Sequence, residues 1–242
     1  MAVRGVLVVG SSSPIGEAIA QWFADDGAQV AGVSTEAHEH KAFVQTMTAD
    51  VSVPAQAQQA VDTAVNRLGA LNVVVLAAAR MPVAEAAATT DGEWRDALGS
   101  TLDSAFFISR ATLPYLPPGS AIVAVTSTNA TLAAPGLPAY AAAKAGVEGL
   151  VRQLALEYGP KGVRVNAVAP AMVGHADLPG VTQGYPLQRT CDPVDIANAV
   201  GFMASSRAGF ITGVTLPVDG GLSISSPAAW TRPDLRARWL PD

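Results

Sequence analysis

Short runs of buried-type apolar residues alternate with segments of helical periodicity along the chain, and this alternation most limits the fold. The predicted strands are Val3–Val9, Gln29–Val33, Asn72–Ala77, Ala121–Thr126, Val163–Val168 and Val214–Val218. The predicted helices are Pro14–Phe23, Pro54–Leu68, Asp91–Leu113, Ala139–Gly159 and Pro193–Ala204. Such alternation builds a parallel sheet with helices on both faces. We therefore predict an α/β fold with a doubly wound parallel sheet in a single domain.

The composition fits one large domain and excludes several function classes. Of the 242 residues, 50% are hydrophobic and 14% are charged, which indicates a large buried core. No apolar run approaches the roughly 20 residues of a membrane span, and the first strand leaves no room for a secretory signal. A single cysteine, Cys191, favours a reducing, cytoplasmic setting. The net charge of −5 without a basic cluster argues against nucleic acid as the main partner.

The first strand is followed by a turn bounded by glycines, which is typical of phosphate-binding loops. Ligands of doubly wound sheets bind beyond the carboxyl ends of the strands. Glycine allows a tight turn there, and the N–H groups of the next helix can bind a diphosphate. The candidate residues are Gly10, Ser12, Ser13, Ile15 and Gly16. An ordinary capped strand-to-helix turn explains the same residues, and the turn alone does not decide between the two.

Three residues with acid–base and hydroxyl chemistry are predicted to meet at the same sheet edge. Tyr140 and Lys144 are spaced to share one face of a helix, and Ser127 follows a strand that ends at this edge. An ammonium beside a phenol lowers the pKa of the phenol, and a nearby hydroxyl can hold a substrate oxygen. The alternative is a helix-start tyrosine with a solvated lysine, which the spacing alone leaves open.

Taken together, these motifs resemble the classical short-chain dehydrogenase/reductase (SDR) family over residues 3–222. The matching segments are Val9-Gly10-x-x-x-x-Ile15-Gly16, Asp50-Val51, Thr126-Ser127, Tyr140-Ala-Ala-Ala-Lys144-Ala-Gly, Val163-Arg-Val-Asn166 and Ile211-Thr-Gly-Val-Thr-Leu-Pro-Val-Asp-Gly-Gly221. The resemblance implies a Rossmann-type domain that binds a nicotinamide cofactor. It also implies hydride transfer between that cofactor and an alcohol/carbonyl pair.

The resemblance assigns roles to matching positions. Tyr140 would donate the proton in reduction, Lys144 would lower its pKa and bind the nicotinamide ribose, and Ser127 would hold the carbonyl oxygen. Cofactor contacts are implied, beside the first turn and these two helix residues, for Ser34, Thr35, Asp50, Val51, Ala77, Ala78, Pro170, Val173 and His175.

Four positions depart from the family's pattern. Pro14 replaces the central glycine of the first turn, and Ala77-Ala78-Ala79-Arg80 stands where Asn-Asn-Ala-Gly is usual. Thr101 takes the place of the asparagine that is the fourth catalytic residue, and its hydroxyl can still join a water chain. His175 replaces a threonine that contacts the carboxamide, and a loop histidine facing water is the alternative. The catalytic trio is intact, so we expect an active enzyme.

Ser34 and Thr35 end the second strand, where an acidic residue would favour NAD. Their hydroxyls can donate to a 2′-phosphate, so we expect NADP(H). NAD remains possible because Ser13 is not basic and Glu36 is close. No metal site is expected. His38 and His40 are interpreted as solvated, since further ligands are missing, and Cys191 as inert.

The segment Pro170–Asp192 is expected to form a lid over the substrate. Apolar residues on this side of the site indicate a partly apolar small-molecule carbonyl or alcohol substrate, although they can equally pack under the lid: Leu132, Leu137, Met172, Leu178 and Tyr185. Residues 223–242 extend beyond the 1–222 domain. This extension, with Trp230 and Trp239, is expected to pack on the body or on a neighbouring subunit.

The resemblance also implies a homotetramer or homodimer that pairs the helices Asp91–Leu113 and Ala139–Gly159 through small residues. Alternatively, the alanines Ala141–Ala143 and Ala145 of the second helix face the sheet. The sequence thus predicts an NAD(P)(H)-dependent ketoreductase or alcohol dehydrogenase. Two alternatives stay open: a nucleotide-binding protein with lost turnover, and a non-redox lyase or epimerase that uses Tyr140 as a base.

Overall fold

A seven-stranded parallel sheet forms the centre of the molecule in the computed structural model, which describes residues 4–238. Its strands are Gly5–Val9 (β1), Gln29–Ser34 (β2), Phe43–Thr48 (β3), Val73–Leu76 (β4), Ala121–Val125 (β5), Arg164–Pro170 (β6) and Thr215–Val218 (β7). Their order across the sheet is β3-β2-β1-β4-β5-β6-β7. The strand order reverses between β1 and β4, as in a doubly wound sheet. The predicted single-domain α/β fold is confirmed.

Helices cover both faces of the sheet. They are Pro14–Asp25 (α1), Pro54–Leu68 (α2), Asp91–Leu98 (α3), Ser104–Thr112 (α4), Pro138–Tyr158 (α5), Pro193–Ala204 (α6), Pro227–Thr231 (α7) and Pro233–Arg236 (α8). Helices α1 and α6 pack on one face, and α2, α4 and α5 pack on the other.

Alternate residues of β1 enter the two cores, which is why this strand is apolar throughout. Leu7 and Val9 pack with α2, whereas Val6 and Val8 pack with α1. All five residues of the strand are buried. A continuous apolar run is the pattern of a central strand of a parallel sheet.

The edge strand β3 was not predicted. Its residues Phe43–Thr48 are mostly half-buried, and it pairs with β2 alone. An edge strand buries less apolar surface than a central one, so the continuous apolar run that marked the other strands is missing.

The predicted helix Asp91–Leu113 is interrupted, which corrects the sequence interpretation. Residues Gly99–Asp103 form a π-helical turn between α3 and α4. The N–H of Ser104 donates to the carbonyl of Gly99, five residues back. Turns of this kind often occur at functional sites, and Thr101 lies within this one.

Residues after β7 continue into the short helices α7 and α8. The indole Nε1 of Trp230 donates to Ser225 Oγ at 3.0 Å. Two residues of the predictions, Val3 and Trp239, lie outside the described residues. Among the helices of residues 4–238, none combines the length and the apolar character needed to cross a membrane.

Candidate active site

A cleft of about 370 Å³ lies at the carboxyl ends of β1, β2 and β4. Of the predicted cofactor residues it brings together Gly10, Ser12, Ser13, Ser34, Thr35, Asp50, Val51, Ala77 and Ala78. Both sides of the strand-order reversal contribute to its walls. The cleft therefore lies where a doubly wound sheet binds its ligand.

The first turn is built by backbone packing that only glycine permits. Gly10 has a φ of 83°, and a Cβ there would lie 2.7 Å from the backbone nitrogen of Ala78. A Cβ on Gly16 would overlap the carbonyl oxygen of Gly10. Ser13 is the N-cap of α1, and its Oγ accepts from the Gly16 N–H at 3.0 Å. Pro14 at the first helical position lacks an N–H, which suits that place.

The far wall of the cleft is held by side chains that bind their own loop. Asp50 Oδ1 accepts from the Oγ of Ser52 at 2.6 Å and from its N–H at 3.0 Å. Ser34 Oγ donates to the carbonyl of Glu36 at 2.7 Å.

The sequence analysis interprets His38 as solvated, but in the structure its side chain is half-buried and has contacts. Its Nδ1 lies 3.3 Å from Ser34 Oγ, and its ring stands edge-on to Phe43 with 5.4 Å between centroids. Its Nε2 is buried without a hydrogen-bond partner among the described residues. The histidine thus supports the loop behind Ser34. Within residues 4–238, no group of His, Cys, Asp and Glu side chains could hold a metal ion.

Ser127, Tyr140 and Lys144 meet near the carboxyl end of β5. Ser127 directly follows Thr126 at the end of the strand, and its Oγ accepts from the Asn129 N–H at 3.1 Å. Lys144 is buried, and its Nζ donates to the carbonyl of Val125 at 2.6 Å. The same Nζ lies 5.6 Å from the centroid of the Tyr140 ring. The helical spacing places Tyr140 and Lys144 together, and the end of β5 brings the Ser127 hydroxyl to the Tyr140 phenol.

The acid–base properties of this trio differ from the expectation of a lowered phenol pKa. Burial raises the pKa of Tyr140, and the hydroxyl of Ser127 opposes that shift only in part. Burial lowers the pKa of Lys144 to about 8. Desolvation penalises the charged form of both groups, which raises the pKa of the phenol and lowers the pKa of the ammonium.

Thr101 is buried in the π-helical turn, and its Oγ1 has no hydrogen-bond partner among the described residues. A buried hydroxyl without a partner is unfavourable and calls for a physical reason.

The other predicted residues lie away from the cleft walls. His175 is exposed and has a φ of 55°, and Val173 bridges to Cys191. Tyr185 is buried and its hydroxyl accepts from the N–H of Met172 at 3.1 Å, so it ties down the lid rather than facing solvent. Burial raises the pKa of the Cys191 thiol to about 11, which accords with an inert cysteine.

The sequence analysis missed Glu148, Ser100 and Ser104, whereas it had noted Glu36 and Arg80. Glu148 follows Lys144 by one helical turn and is buried, with Oε1 3.3 Å from the Thr126 hydroxyl. Its spacing from Lys144 was the available signal. Glu36, Ser100 and Ser104 also line the cleft, together with Arg80. Ser100 and Ser104 could not be placed there without the π-helical turn.

Known proteins resemble this chain along most of its length. Residues 9–223 match the family model described as enoyl-(acyl carrier protein) reductase. A 3-oxoacyl-[acyl-carrier-protein] reductase of Pseudomonas aeruginosa is 32% identical, with 93% of this chain and 100% of the relative covered.

Solved structures share the fold closely. A short-chain dehydrogenase from Burkholderia cenocepacia in complex with NADP superposes with a TM-score of 0.86 at 28% identity, covering 91% of this chain and 98% of that chain. A 3-ketoacyl-(acyl-carrier-protein) reductase from Brucella melitensis complexed with NADH superposes with a TM-score of 0.84 at 28% identity, covering 91% of this chain and 98% of that chain. The chain belongs to the short-chain dehydrogenase/reductase family, which is a family of oxidoreductases.

Proposed function

We propose that this protein is an NADP(H)-dependent ketoreductase acting on a small to medium, partly apolar carbonyl compound. The observation that carries the proposal is the convergence of Ser127, Tyr140 and Lys144 beside a cleft lined by the first glycine turn. Family membership supports the same reaction class. A nicotinamide cofactor supplies hydride when it is bound.

The residues of the cleft fit the nucleotide part of such a cofactor. Gly10 brings the backbone of the turn against Ala77 and Ala78, where a side chain would not fit. The N-terminus of α1 points its N–H groups towards this turn, as anion sites require. Asp50 and Val51 line the opposite wall, where the family resemblance places the adenine.

Ser127, Tyr140 and Lys144 are proposed to carry out the proton transfer. The Asn129 N–H binds one lone pair of Ser127 Oγ, so the Ser127 proton is available to a substrate carbonyl oxygen. Tyr140 donates its proton to that oxygen as hydride reaches the carbonyl carbon, which converts the ketone into an alcohol. Lys144, with one N–H bound to Val125, has two further N–H groups for a ribose hydroxyl. Thr101 is proposed to pass a proton to this site through water.

The assembly is proposed to be a homotetramer or homodimer located in the cytoplasm. Residues 1–222 are proposed as the catalytic domain with a lid at 170–192, and residues 223–242 as an extension. In α5, Ala143 faces the core and Gly146 packs against Leu102 of its own chain, whereas Ala142 and Ala145 are exposed. Only part of the small-residue surface is therefore free for a neighbouring subunit.

Replacing the phenol tests the proposed function. Tyr140→Phe removes the proton donor and nothing else of the ring, so ketone-dependent oxidation of NADPH should fall about 100- to 10,000-fold. Binding of NADPH, followed by fluorescence, should stay within about twofold of wild type. Tyr158→Phe, at the far end of α5, is the matched control and should keep full activity.

Other outcomes of this experiment contradict the proposal in different ways. NADPH binding without oxidation across a ketone panel would support a nucleotide-binding protein instead. Conversion of a substrate without net consumption of cofactor would indicate a non-redox lyase or epimerase.

A further inference from the structure

The cleft holds very few positive charges for a site that would bind a polyanion. Its charged lining residues are Glu36, Asp50 and Arg80, so Arg80 is the one cation among the described residues that line it. A dinucleotide carries two phosphates, and an additional 2′-phosphate makes the ligand still more negative. Two carboxylates in the wall repel such a ligand unless a cation or many N–H groups compensate.

Of the three serines in the first turn, Ser12 lines the cleft, whereas Ser11 and Ser13 are engaged in packing or capping. Ser13 Oγ donates to the Gly10 carbonyl at 2.9 Å and accepts from Gly16 N–H, so it serves the helix cap. Ser11 Oγ is buried without a partner among the described residues and packs towards Gly32. Pro14 has no N–H to give. The turn can therefore meet only part of the hydrogen-bonding demand of a diphosphate.

The hydroxyl at the end of β2 is engaged within its own loop. Ser34 Oγ donates to the carbonyl of Glu36 at 2.7 Å and lies 3.3 Å from His38 Nδ1. A hydroxyl has a single proton to donate, so Ser34 would have to give up its bond to Glu36 before it could donate to a 2′-phosphate.

Arg80 is held loosely and can reorient. Its Nε lies 3.6 Å from Asp96 Oδ1 on α3, beyond hydrogen-bond distance, and both side chains are more than half exposed. Exposed ion pairs of this kind are weak. Bidentate bonds from a guanidinium to a phosphate are shorter and stronger. The guanidinium can thus leave Asp96 for a phosphate at little cost.

We propose that Arg80 binds a phosphate group of the nucleotide and that Asp96 competes with the ligand for the same guanidinium. The inference rests on the proposed function, since it requires a nucleotide in the cleft. Arg80 supplies the charge that the serines and Pro14 of the first turn do not. Asp96 opposes nucleotide binding. Removing the Arg80 side chain should therefore weaken nucleotide binding, and removing the Asp96 carboxylate should strengthen it.

Equilibrium binding to the full chain tests this pair. The ligands are NADPH, NADH, ADP-ribose, adenosine 2′,5′-bisphosphate and adenosine, measured by calorimetry at two salt concentrations. Arg80→Gln should weaken the affinity for the phosphate-bearing ligands by about tenfold or more and leave the affinity for adenosine unchanged. Asp96→Asn should increase the affinity for the same phosphate-bearing ligands. Arg95→Gln, on α3 and paired with Asp91, is the matched control because it does not line the cleft.

The ligand series identifies which phosphate is bound. A loss confined to NADPH and the bisphosphate assigns Arg80 to the 2′-phosphate, and an equal loss for NADPH, NADH and ADP-ribose assigns it to the diphosphate. Binding by Arg80→Gln within twofold of wild type, or an equal loss for adenosine, overturns the proposal while leaving the proposed function intact. A wild-type chain that binds none of these ligands overturns both.

Discussion

Burial of Lys144 places a titrating group in the core of the site. Its pKa is lowered to about 8 because the ammonium loses its hydration, while in the unfolded chain it titrates near its ordinary value of 10.5. Between these two values the unfolded chain holds a proton that the folded chain has released. Stability therefore increases with pH across this interval, by up to about 3 kcal/mol for this residue.

The pH dependence of unfolding provides the measurement. We expect Lys144→Met to lack the rise in the free energy of unfolding between pH 8 and 10 that wild type shows in urea titrations. Other titrating groups contribute equally to both proteins, so the difference isolates this lysine. Parallel curves for the two proteins would show that Lys144 is not desolvated in the folded state.

Individual residues also show which properties of the site can be predicted from the sequence and which cannot. Tyr140 and Lys144 could be placed on one face from their spacing, and the structure brings them together with Ser127. The direction of the Tyr140 pKa shift could not be predicted, because it depends on how much water the fold removes from the phenol. The proton of Ser34 is committed to a backbone carbonyl that no side-chain pattern reveals.

At the scale of elements, the first turn depends on contacts between backbones. Gly16 lies in α1, and its missing side chain lets the helix start against the Gly10 carbonyl. Gly149 lies in α5, where an added Cβ would meet nothing closer than 4.0 Å, the Arg152 side chain. The two glycines therefore share helical backbone but differ in the space around them.

Alanine at these two positions should have opposite effects. Gly16→Ala forces the turn apart, and we expect a loss of a few kcal/mol in stability together with loss of nucleotide binding. Gly149→Ala should be neutral or stabilising by up to about 1 kcal/mol, because alanine favours helix. Thermal unfolding and NADPH titration of both variants check this. Equal Tm values for the two variants would contradict the described turn.

Strands buried on both faces could be predicted from the sequence, whereas the edge strand and the turn that joins α3 to α4 could not. Continuous apolar runs located β1, β4, β5 and β6, since a central parallel strand must be apolar along its length. The half-buried edge strand β3 lacks that signal. The π-helical turn between α3 and α4 adds only one residue to a helix, and a change of one residue is too small to be read from apolar periodicity.

For the whole molecule, exposed apolar residues on α4 and α5 bear on the proposed assembly. Phe106 on α4 and Leu156 on α5 remain exposed, Leu156 at 75%. Pairing of these helices across an axis would bury such surface, which is the main favourable term in association. The proposed oligomer would thereby cover side chains that water otherwise surrounds.

A charge introduced into this surface tests the assembly. Leu156→Glu would place an unpaired carboxylate in the interface, which costs several kcal/mol, so we expect a smaller species by light scattering coupled to size-exclusion chromatography. Val44→Glu, on the edge strand β3, is the control and should leave the mass unchanged. An unaltered mass for Leu156→Glu would exclude this helix pair as the interface.

The π-helical turn has a consequence for how this chain tolerates insertions and deletions. Its bond from Ser104 to Gly99 accommodates one residue more than an α-helical turn would. Deleting a single residue there would close the turn to an α-helical one, so α3 and α4 would merge into one continuous helix whose two ends keep their faces. Only the residues between Gly99 and Ser104 would change place, because one position of the wide turn disappears. Such a deletion would thus alter the surroundings of Thr101 without turning the apolar face of α4 away from the core.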